Sequence, residues 1–97
     1  MSPPSNTKDN QHMAKCTVRY WAAAKDAAGT SEEAVEASTL QEALDAVRRL
    51  REEDRFQRVL GISSFLVDEK PVGARAHGDV SLTEGSVIEV LPPFAGG

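Results

Sequence analysis

The middle of the chain carries the pattern of one amphipathic helix. The segment Thr39-Leu40-Gln41-Glu42 has the form of a capping box, in which a threonine N-cap is followed three residues later by glutamate. Apolar residues then recur at the spacing of a single helix face: Leu40, Ala43, Leu44, Val47 and Leu50. Residues 56–60 after the helix indicate a short turn. A helix with one apolar face must pack against an apolar surface that the rest of the chain supplies.

Two segments before the helix have the pattern of β-strands. Residues 15–21 alternate polar with apolar side chains, and the apolar set is Cys16, Val18 and Tyr20. Residues 31–37 indicate a second, weaker strand, and residues 22–29 between them indicate a small-residue loop or a short helical turn. Two strands joined by a short connection are expected to pair as an antiparallel hairpin.

The remaining strands follow the helix. Residues 64–67 indicate a third strand, followed by a turn at residues 68–71 and a short edge segment that begins at Val72. Residues 87–91 are apolar on both faces except at Glu89, which is typical of a central strand.

The order of these elements predicts an α+β fold of two layers. One main helix crosses one face of a mixed sheet, and a central final strand beside the first would form a parallel pair. This arrangement is the ubiquitin-like β-grasp, although periodicity leaves the exact strand order open. We assign residues 15–91 to the β-grasp domain and residues 92–97 to an extended reactive tail. Residues 1–14, which are polar and rich in proline, serine and asparagine, are expected to be disordered.

Composition limits the classes of function. The 97 residues allow one domain, and the net charge of −4 disfavours a nucleic-acid partner, because such proteins usually have a basic surface. The chain has one cysteine, so an internal disulfide is impossible and a reducing cytoplasm is expected. No apolar stretch approaches the roughly 18 residues of a membrane span, and the N-terminus lacks the apolar core of a signal peptide. Met13 precedes the first strand and is an alternative start to Met1.

The chain ends in Pro92-Pro93-Phe94-Ala95-Gly96-Gly97. The prolines favour an extended backbone and the glycines give the thinnest possible one, so the segment is expected to leave the domain as a slim arm. The α-carboxylate of Gly97 is ionised at neutral pH. Four extended residues reach roughly 13 Å, which is enough to enter the active site of another protein. Gly97 is therefore the candidate reactive residue, and a disordered tail is the alternative.

Residues 18–29 carry an aromatic pair, an alanine, a lysine-aspartate pair and a closing glycine. Residues 84–97 carry a glycine turn, an apolar strand and the Pro-Pro-Phe-Ala-Gly-Gly end. Together they resemble the small sulfur-carrier family of β-grasp proteins, above all the small subunit of molybdopterin synthase, over about residues 15–97. The sequence departs from the family pattern at four positions, none in the Gly-Gly end: Trp21, Lys25, Ser86 and Leu91.

The resemblance implies a sulfur carrier that is not an enzyme on its own. In that family an E1-like activating enzyme uses ATP to adenylate the terminal carboxylate, here that of Gly97, and sulfur then replaces oxygen to give a thiocarboxylate. The arm then enters the large subunit of molybdopterin synthase and donates sulfur for molybdenum cofactor biosynthesis. Gly96 would give clearance, Phe94 and Ala95 would anchor the arm, and the tail from Pro92 and Pro93 onward would thread into the partner. The chain itself would bind no cofactor and no metal.

Other functions use the same arm. A ubiquitin-like modifier would be conjugated to lysines through Gly97. A carrier for thiamin, cysteine, tRNA thiolation or a specialised metabolite would be loaded in the same way but would serve another enzyme. A purely structural domain would not need the two glycines. The two prolines before the tail favour the molybdopterin pathway.

A few other side chains are of types that often act as nucleophiles, metal ligands or binding residues. Cys16 lies two residues before Val18 and therefore points to the same face of the strand. It is expected to be a small buried strand residue rather than a persulfide carrier. His12 and His77 lack metal-ligand spacing, so solvated loop histidines are favoured. Tyr20 and Trp21 are expected in the core. Between residues 48 and 58, arginines alternate with acidic residues, so a solvated helix surface is favoured over a phosphate or nucleic-acid site.

Overall fold

The computed structural model describes residues 13–93. Its elements, in chain order, are β1 (Ala14–Tyr20), α1 (Ala22–Ala28), β2 (Glu32–Ala37), α2 (Leu40–Leu50), α3 (Asp54–Ile62), β3 (Ser64–Val67), β4 (Lys70–Pro71) and β5 (Val87–Leu91). A 3-10 turn at His77–Asp79 lies between β4 and β5. None of the helices in this part of the chain has the length and apolarity needed to cross a bilayer.

The five strands form one mixed sheet in the order β2-β1-β5-β3-β4. Strand β1 pairs antiparallel with β2 and parallel with β5, where Val18 lies opposite Ile88. Strand β3 pairs antiparallel with β5, where Phe65 lies opposite Val90. The predicted hairpin and the predicted central position of the last strand are therefore confirmed. The side chains of β1 that point toward the helices are those that the alternation assigned to the core.

Helix α2 begins at the predicted N-cap Thr39, and the Glu42 side chain reaches back to the residue before it. The Glu42 amide donates to Thr39 Oγ1 at 3.2 Å, and the Glu42 carboxylate accepts from the Ser38 amide at 2.8 Å. The first four predicted apolar positions of the helix are fully buried against the sheet. Leu50, however, is 63% exposed. It is the last residue of α2 and lies beyond the buried part of the helix, which ends at Val47, so its predicted place in the core is wrong.

Three local predictions need correction. The short turn predicted near Phe56 is the nine-residue helix α3, whereas the helical alternative for residues 22–29 is confirmed by α1 at Ala22–Ala28. Phe56 and Leu60 are buried because α3 presents one apolar face to the core. The fourth strand is Lys70–Pro71, inside the predicted turn, while Val72 is buried beyond it. Strand β1 begins at Ala14, one residue before the predicted domain boundary.

The turn between β3 and β4 has an unusual backbone. Asp68 and Glu69 have φ angles of 51° and 72°, as a two-residue hairpin turn of type I′ requires. Positive φ brings the Cβ of an ordinary residue close to the following carbonyl oxygen. At Asp68 this cost is offset, because its carboxylate accepts from the Val87 amide at 2.9 Å and from Ser86 Oγ at 3.0 Å.

Glu69→Gly is expected to raise the free energy of unfolding by about 1 kcal/mol, because glycine adopts positive φ without that crowding. Urea unfolding of the two proteins measures the change. Asp68→Gly is the matched control: it relieves the same crowding but loses two hydrogen bonds, so it should give no gain. A Glu69→Gly protein less stable than the parent would contradict this account.

Candidate functional site at the base of the arm

The predicted site residues divide between two parts of the chain. Phe94, Ala95, Gly96 and Gly97 lie outside the described residues. Pro92 and Pro93 lie within them: β5 ends at Leu91, Pro92 is half-buried against the domain, and Pro93 is exposed. The structure therefore defines the base from which the arm (residues 92–97) departs.

Three strands bring their ends together at this base. Strand β1 runs parallel to β5, with Tyr20 opposite Val90 at the end where the chain leaves the sheet. Strand β3 runs the other way and begins there, with Ser64 opposite Leu91. The arm therefore starts in the middle of the sheet, and the strand residues that precede it, Val90 and Leu91, are paired with neighbouring strands.

Trp21 lies directly beside the arm. Its amide donates to the Val90 carbonyl at 3.2 Å, and its indole Nε1 donates to Glu89 Oε1 at 3.0 Å. Trp21 is also the N-cap of α1, and its carbonyl accepts from the Ala24 amide at 2.9 Å. Its side chain is 46% exposed, so its predicted place in the core is wrong. The strand alternation itself gave the signal: Tyr20 points inward, so the next residue points away from the helices.

An apolar hollow surrounds the start of the arm. Trp21, Ala22, Leu91 and Pro92 line a space of about 310 Å³. Ala22 has a φ of 49°, a left-handed conformation that is uncommon for a residue with a Cβ. Backbone strain of this kind is concentrated at functional sites. The base of the arm thus combines exposed apolar surface with a strained backbone.

A partly buried polar cluster supports this base from the helix side. Arg51 donates to both carboxylate oxygens of Glu33, at 2.6 and 2.8 Å, and its Nε donates to the Ala28 carbonyl at 2.8 Å. The Tyr20 hydroxyl donates to the same Glu33 carboxylate. The Arg51 guanidinium also lies 5.9 Å from the centre of the Tyr20 ring and 5.5 Å from that of Phe56. The cluster joins β1, β2 and α1 to the segment between α2 and α3.

Burial and charge set the protonation of this cluster. Burial, followed by the hydrogen bond to Glu33, raises the pKa of the Tyr20 hydroxyl well above its ordinary value. The hydrogen bond to Glu33 raises the pKa of Arg51. Tyr20 thus stays neutral and donates its proton, while Arg51 stays charged. The cluster fixes Tyr20, which immediately precedes Trp21 in the chain.

The other candidate residues lie away from the arm. Cys16 is buried in β1, as predicted, and its thiol points toward the Ala14 carbonyl at 3.4 Å. Burial, with smaller contributions from Glu84 and Asp68, raises the pKa of this thiol, which makes it a poor nucleophile. His77 packs edge-to-face on Phe65, and His12 lies outside the described residues. Within residues 13–93 no three acidic, histidine or cysteine side chains are grouped to hold a metal.

Comparison with known proteins places the chain in a family. No curated protein matches it significantly. Its fold is similar to small archaeal modifier protein 1 from Methanosarcina acetivorans, with 21% identity and a TM-score of 0.76 over 90% of this chain and 100% of that one. It is also similar to a putative molybdopterin converting factor subunit 1 from Pyrococcus furiosus, with 21% identity and a TM-score of 0.68 over 84% and 99% of the two chains.

A third similar structure is the complex of subunits 1 and 2 of the molybdopterin-converting factor from Helicobacter pylori, with 24% identity and a TM-score of 0.62 over 86% and 99% of the two chains. At these identities the likeness shows a shared fold, and it confirms the predicted ubiquitin-like β-grasp. The sequence profile of the ThiS family matches residues 18–97. The chain therefore belongs to the ThiS family, as the resemblance of its sequence to the small sulfur carriers implied.

Proposed function

We propose that this protein carries sulfur on Gly97 for molybdopterin biosynthesis. The observation that supports the proposal most is the position of the Gly-Gly end. It follows two prolines and a central strand, and the ThiS family match extends through it to residue 97. A small domain whose central strand leads into a slim terminal segment is suited to offering that segment to a partner.

The proposed chemistry takes place on the terminal carboxylate. A carboxylate oxygen of Gly97 attacks the α-phosphorus of ATP in an activating enzyme, and pyrophosphate leaves. Hydrosulfide, or the terminal sulfur of a persulfide, then attacks the acyl carbon, and AMP leaves. Hydrosulfide gives the thiocarboxylate directly, whereas a persulfide gives an acyl disulfide that a second thiol must cleave. The chain contributes the acyl group, and the activating enzyme contributes the ATP site.

The base of the arm supplies a contact surface for these partners. A partner that encloses the arm must also cover the surface from which the arm departs, where Trp21 and Leu91 are accessible. Large aromatic side chains beside an apolar hollow are frequent anchors of protein interfaces. The Helicobacter pylori complex, in which a similar fold is joined to subunit 2 of its converting factor, supports a large subunit as one such partner.

A ubiquitin-like modifier is the second candidate function. The observation in its favour is the fold likeness to small archaeal modifier protein 1, which has a higher TM-score than the converting-factor subunits described above. The two functions share the activated Gly97 and differ in the acceptor. A carrier transfers sulfur to a small molecule, whereas a modifier transfers its own acyl group to a lysine amine.

Intact-mass measurement tests the proposal. The protein is incubated with an E1-like activating enzyme, ATP and a sulfide source, and then with a molybdopterin synthase large subunit and its pterin precursor. We expect a mass gain equal to the replacement of one oxygen by sulfur, which requires ATP and is reversed in the second step. If no such gain occurs, the sulfur-carrier function is wrong. Isopeptide-linked lysine adducts in cell extracts would instead favour the modifier.

Trp21→Ala is expected to weaken binding to the activating enzyme by on the order of 30-fold, because truncating a central aromatic anchor costs about 2 kcal/mol or more. Isothermal titration calorimetry measures the affinity. Leu50→Ala removes another exposed apolar side chain, at the end of α2, and should leave binding unchanged. Equal losses in the two variants would contradict a contact surface centred on Trp21.

A further inference from the structure

The two edges of the sheet are protected in different ways. Strand β4 forms one edge and has only two residues, Lys70 and Pro71. Short length, a lysine and a proline each hinder a sheet edge from pairing with another chain. Strand β2 forms the other edge and is six residues long, from Glu32 to Ala37, with neither a proline nor a residue of positive φ. The backbone of β2 is therefore open to pairing on its outer side.

Every second residue of β2 directs its backbone N–H and C=O away from the sheet. The Tyr20 amide donates to the Ser31 carbonyl at 2.8 Å, so this opposed pair is of the hydrogen-bonded kind. The two kinds of pair alternate along an antiparallel ladder, so three residues of β2 have their backbone groups on the outer side: Glu32, Ala34 and Glu36. Of these groups, the Glu32 carbonyl accepts from Thr30 Oγ1 at 3.1 Å, and the others have no hydrogen-bond partner within residues 13–93.

The side chains of the same three residues give this edge its charge. Glu32, Ala34 and Glu36 are all exposed on the face of the sheet away from the helices. Arg19 lies 3.4 Å from Glu32, whereas Glu36 makes no ion pair with the described part of the chain, although Lys15 is opposite it in the register. A second copy of β2, paired antiparallel about Ala34, would place Glu32 against Glu36 twice. Like charges directly opposite are destabilising, so the edge disfavours a copy of itself.

The small side chain between the two glutamates leaves space on this face. A hollow of about 400 Å³ lies beside Ala34, and Lys15, Val35 and Glu36 complete its lining. An added strand would place every second side chain on the same face as Ala34. Basic side chains there would meet the two glutamates, and an apolar side chain between them would lie over the alanine. Backbone and side chains therefore favour one kind of occupant.

We propose that the outer edge of β2 binds an extended, basic segment of another protein, which adds a sixth strand to the sheet. The backbone groups of Ala34 and Glu36 would hold its main chain, and the two glutamates would select basic side chains at alternate positions. Charge at this edge repels acidic strands and admits basic ones, whereas the short, proline-containing β4 hinders both. The proposal does not depend on the chemistry at Gly97, because the arm begins on β5, two strands away from β2.

Titration of the ¹⁵N-labelled protein tests this edge. The probe is the acetylated, amidated heptapeptide Thr-Lys-Thr-Val-Thr-Lys-Thr, which reads the same in either direction, and its counterpart has glutamate in place of lysine. With the basic peptide we expect shifts and slower hydrogen exchange of the outward Ala34 and Glu36 amides. Exchange of the Glu33 and Val35 amides should change little, because these amides already bond to β1.

Two variants separate strand addition from simple attraction of charge. Glu36→Lys should weaken binding of the basic peptide by about tenfold, because an opposite charge becomes a like charge. Glu69→Lys makes the same change in net charge in the exposed turn at the opposite edge and should not alter binding. Ala34→Pro removes one outward N–H at an edge position that tolerates proline, and it should abolish binding while the spectrum of the fold stays native.

Several results would overturn the proposal. Equal binding of the basic and acidic peptides would remove the role of charge, and binding of neither at millimolar concentration would leave the edge without this partner. Full affinity in Ala34→Pro would show that no strand is added. Equal losses from Glu36→Lys and Glu69→Lys would show a general charge effect. A dimer of the protein alone, with the same amides protected at neutral pH, would make a second copy the occupant.

Discussion

Deletion of Gly96 and Gly97 is expected to abolish sulfur loading and to leave the melting temperature unchanged. The reason is that the residues that stabilise the fold and the residue proposed to react lie in different parts of the chain. The buried core side chains of the described residues all lie between Ala14 and Val90. The proposed reacting carboxylate belongs to the last residue, and a shortened chain would present Ala95 at a different distance from the sheet. Intact mass after incubation with the activating enzyme, ATP and sulfide measures loading, and calorimetry measures the fold.

Two control variants make this deletion decisive. Removal of residues 2–11 shortens the other end of the chain and should leave loading intact. Cys16→Ala should also load normally, because the thiol is buried in β1 and is a poor nucleophile. If the shortened protein still gains sulfur while Cys16→Ala does not, the sulfur is carried on the thiol and the proposed function is wrong. A large fall in melting temperature would show that the tail packs on the domain.

The fold could be predicted where the signal is local and periodic. The capping box at Thr39 and the alternation through Val18 identified α2 and β1, because each pattern repeats over two or more turns or pleats. Strand β4 has two residues and therefore no period to detect. Helix α3 was missed as a helix because its apolar positions are few and follow α2 closely. The strand order depends on contacts between distant segments, which periodicity does not contain.

Some features of the candidate site could be predicted from the sequence, and others could not. The Gly-Gly end is visible in the sequence because glycine and proline have direct consequences for the backbone. The exposure of Trp21 could also have been inferred, since it lies one residue out of phase with Tyr20. The polar cluster of Arg51, Glu33 and Tyr20 could not, because its members come from different elements that meet only in the folded chain.

Arg51→Ala is expected to lower the free energy of unfolding by about 2 kcal/mol, because removing one partner of a partly buried, charge-assisted pair leaves the other charge without compensation. The side chains of Arg51 and Glu33 are only 18% and 17% exposed, and the substitution also removes the bond to the Ala28 carbonyl. Arg19 and Glu32 form the matched surface pair, at 3.4 Å with exposures of 41% and 54%. Arg19→Ala should cost less than about 1 kcal/mol.

Urea unfolding measures both changes, and similar losses for Arg51→Ala and Arg19→Ala would contradict the distinction between the two pairs.

The dependence of stability on alkaline pH gives a second measure of the same cluster. Because folding raises the pKa of Tyr20 above 10.0, its contribution to stability is complete below about pH 10 and is lost as the pH rises and the unfolded chain ionises. Tyr20→Phe should remove that part of the alkaline loss. An equally steep loss in Tyr20→Phe would mean that other groups cause it and that the hydroxyl does not couple folding to pH.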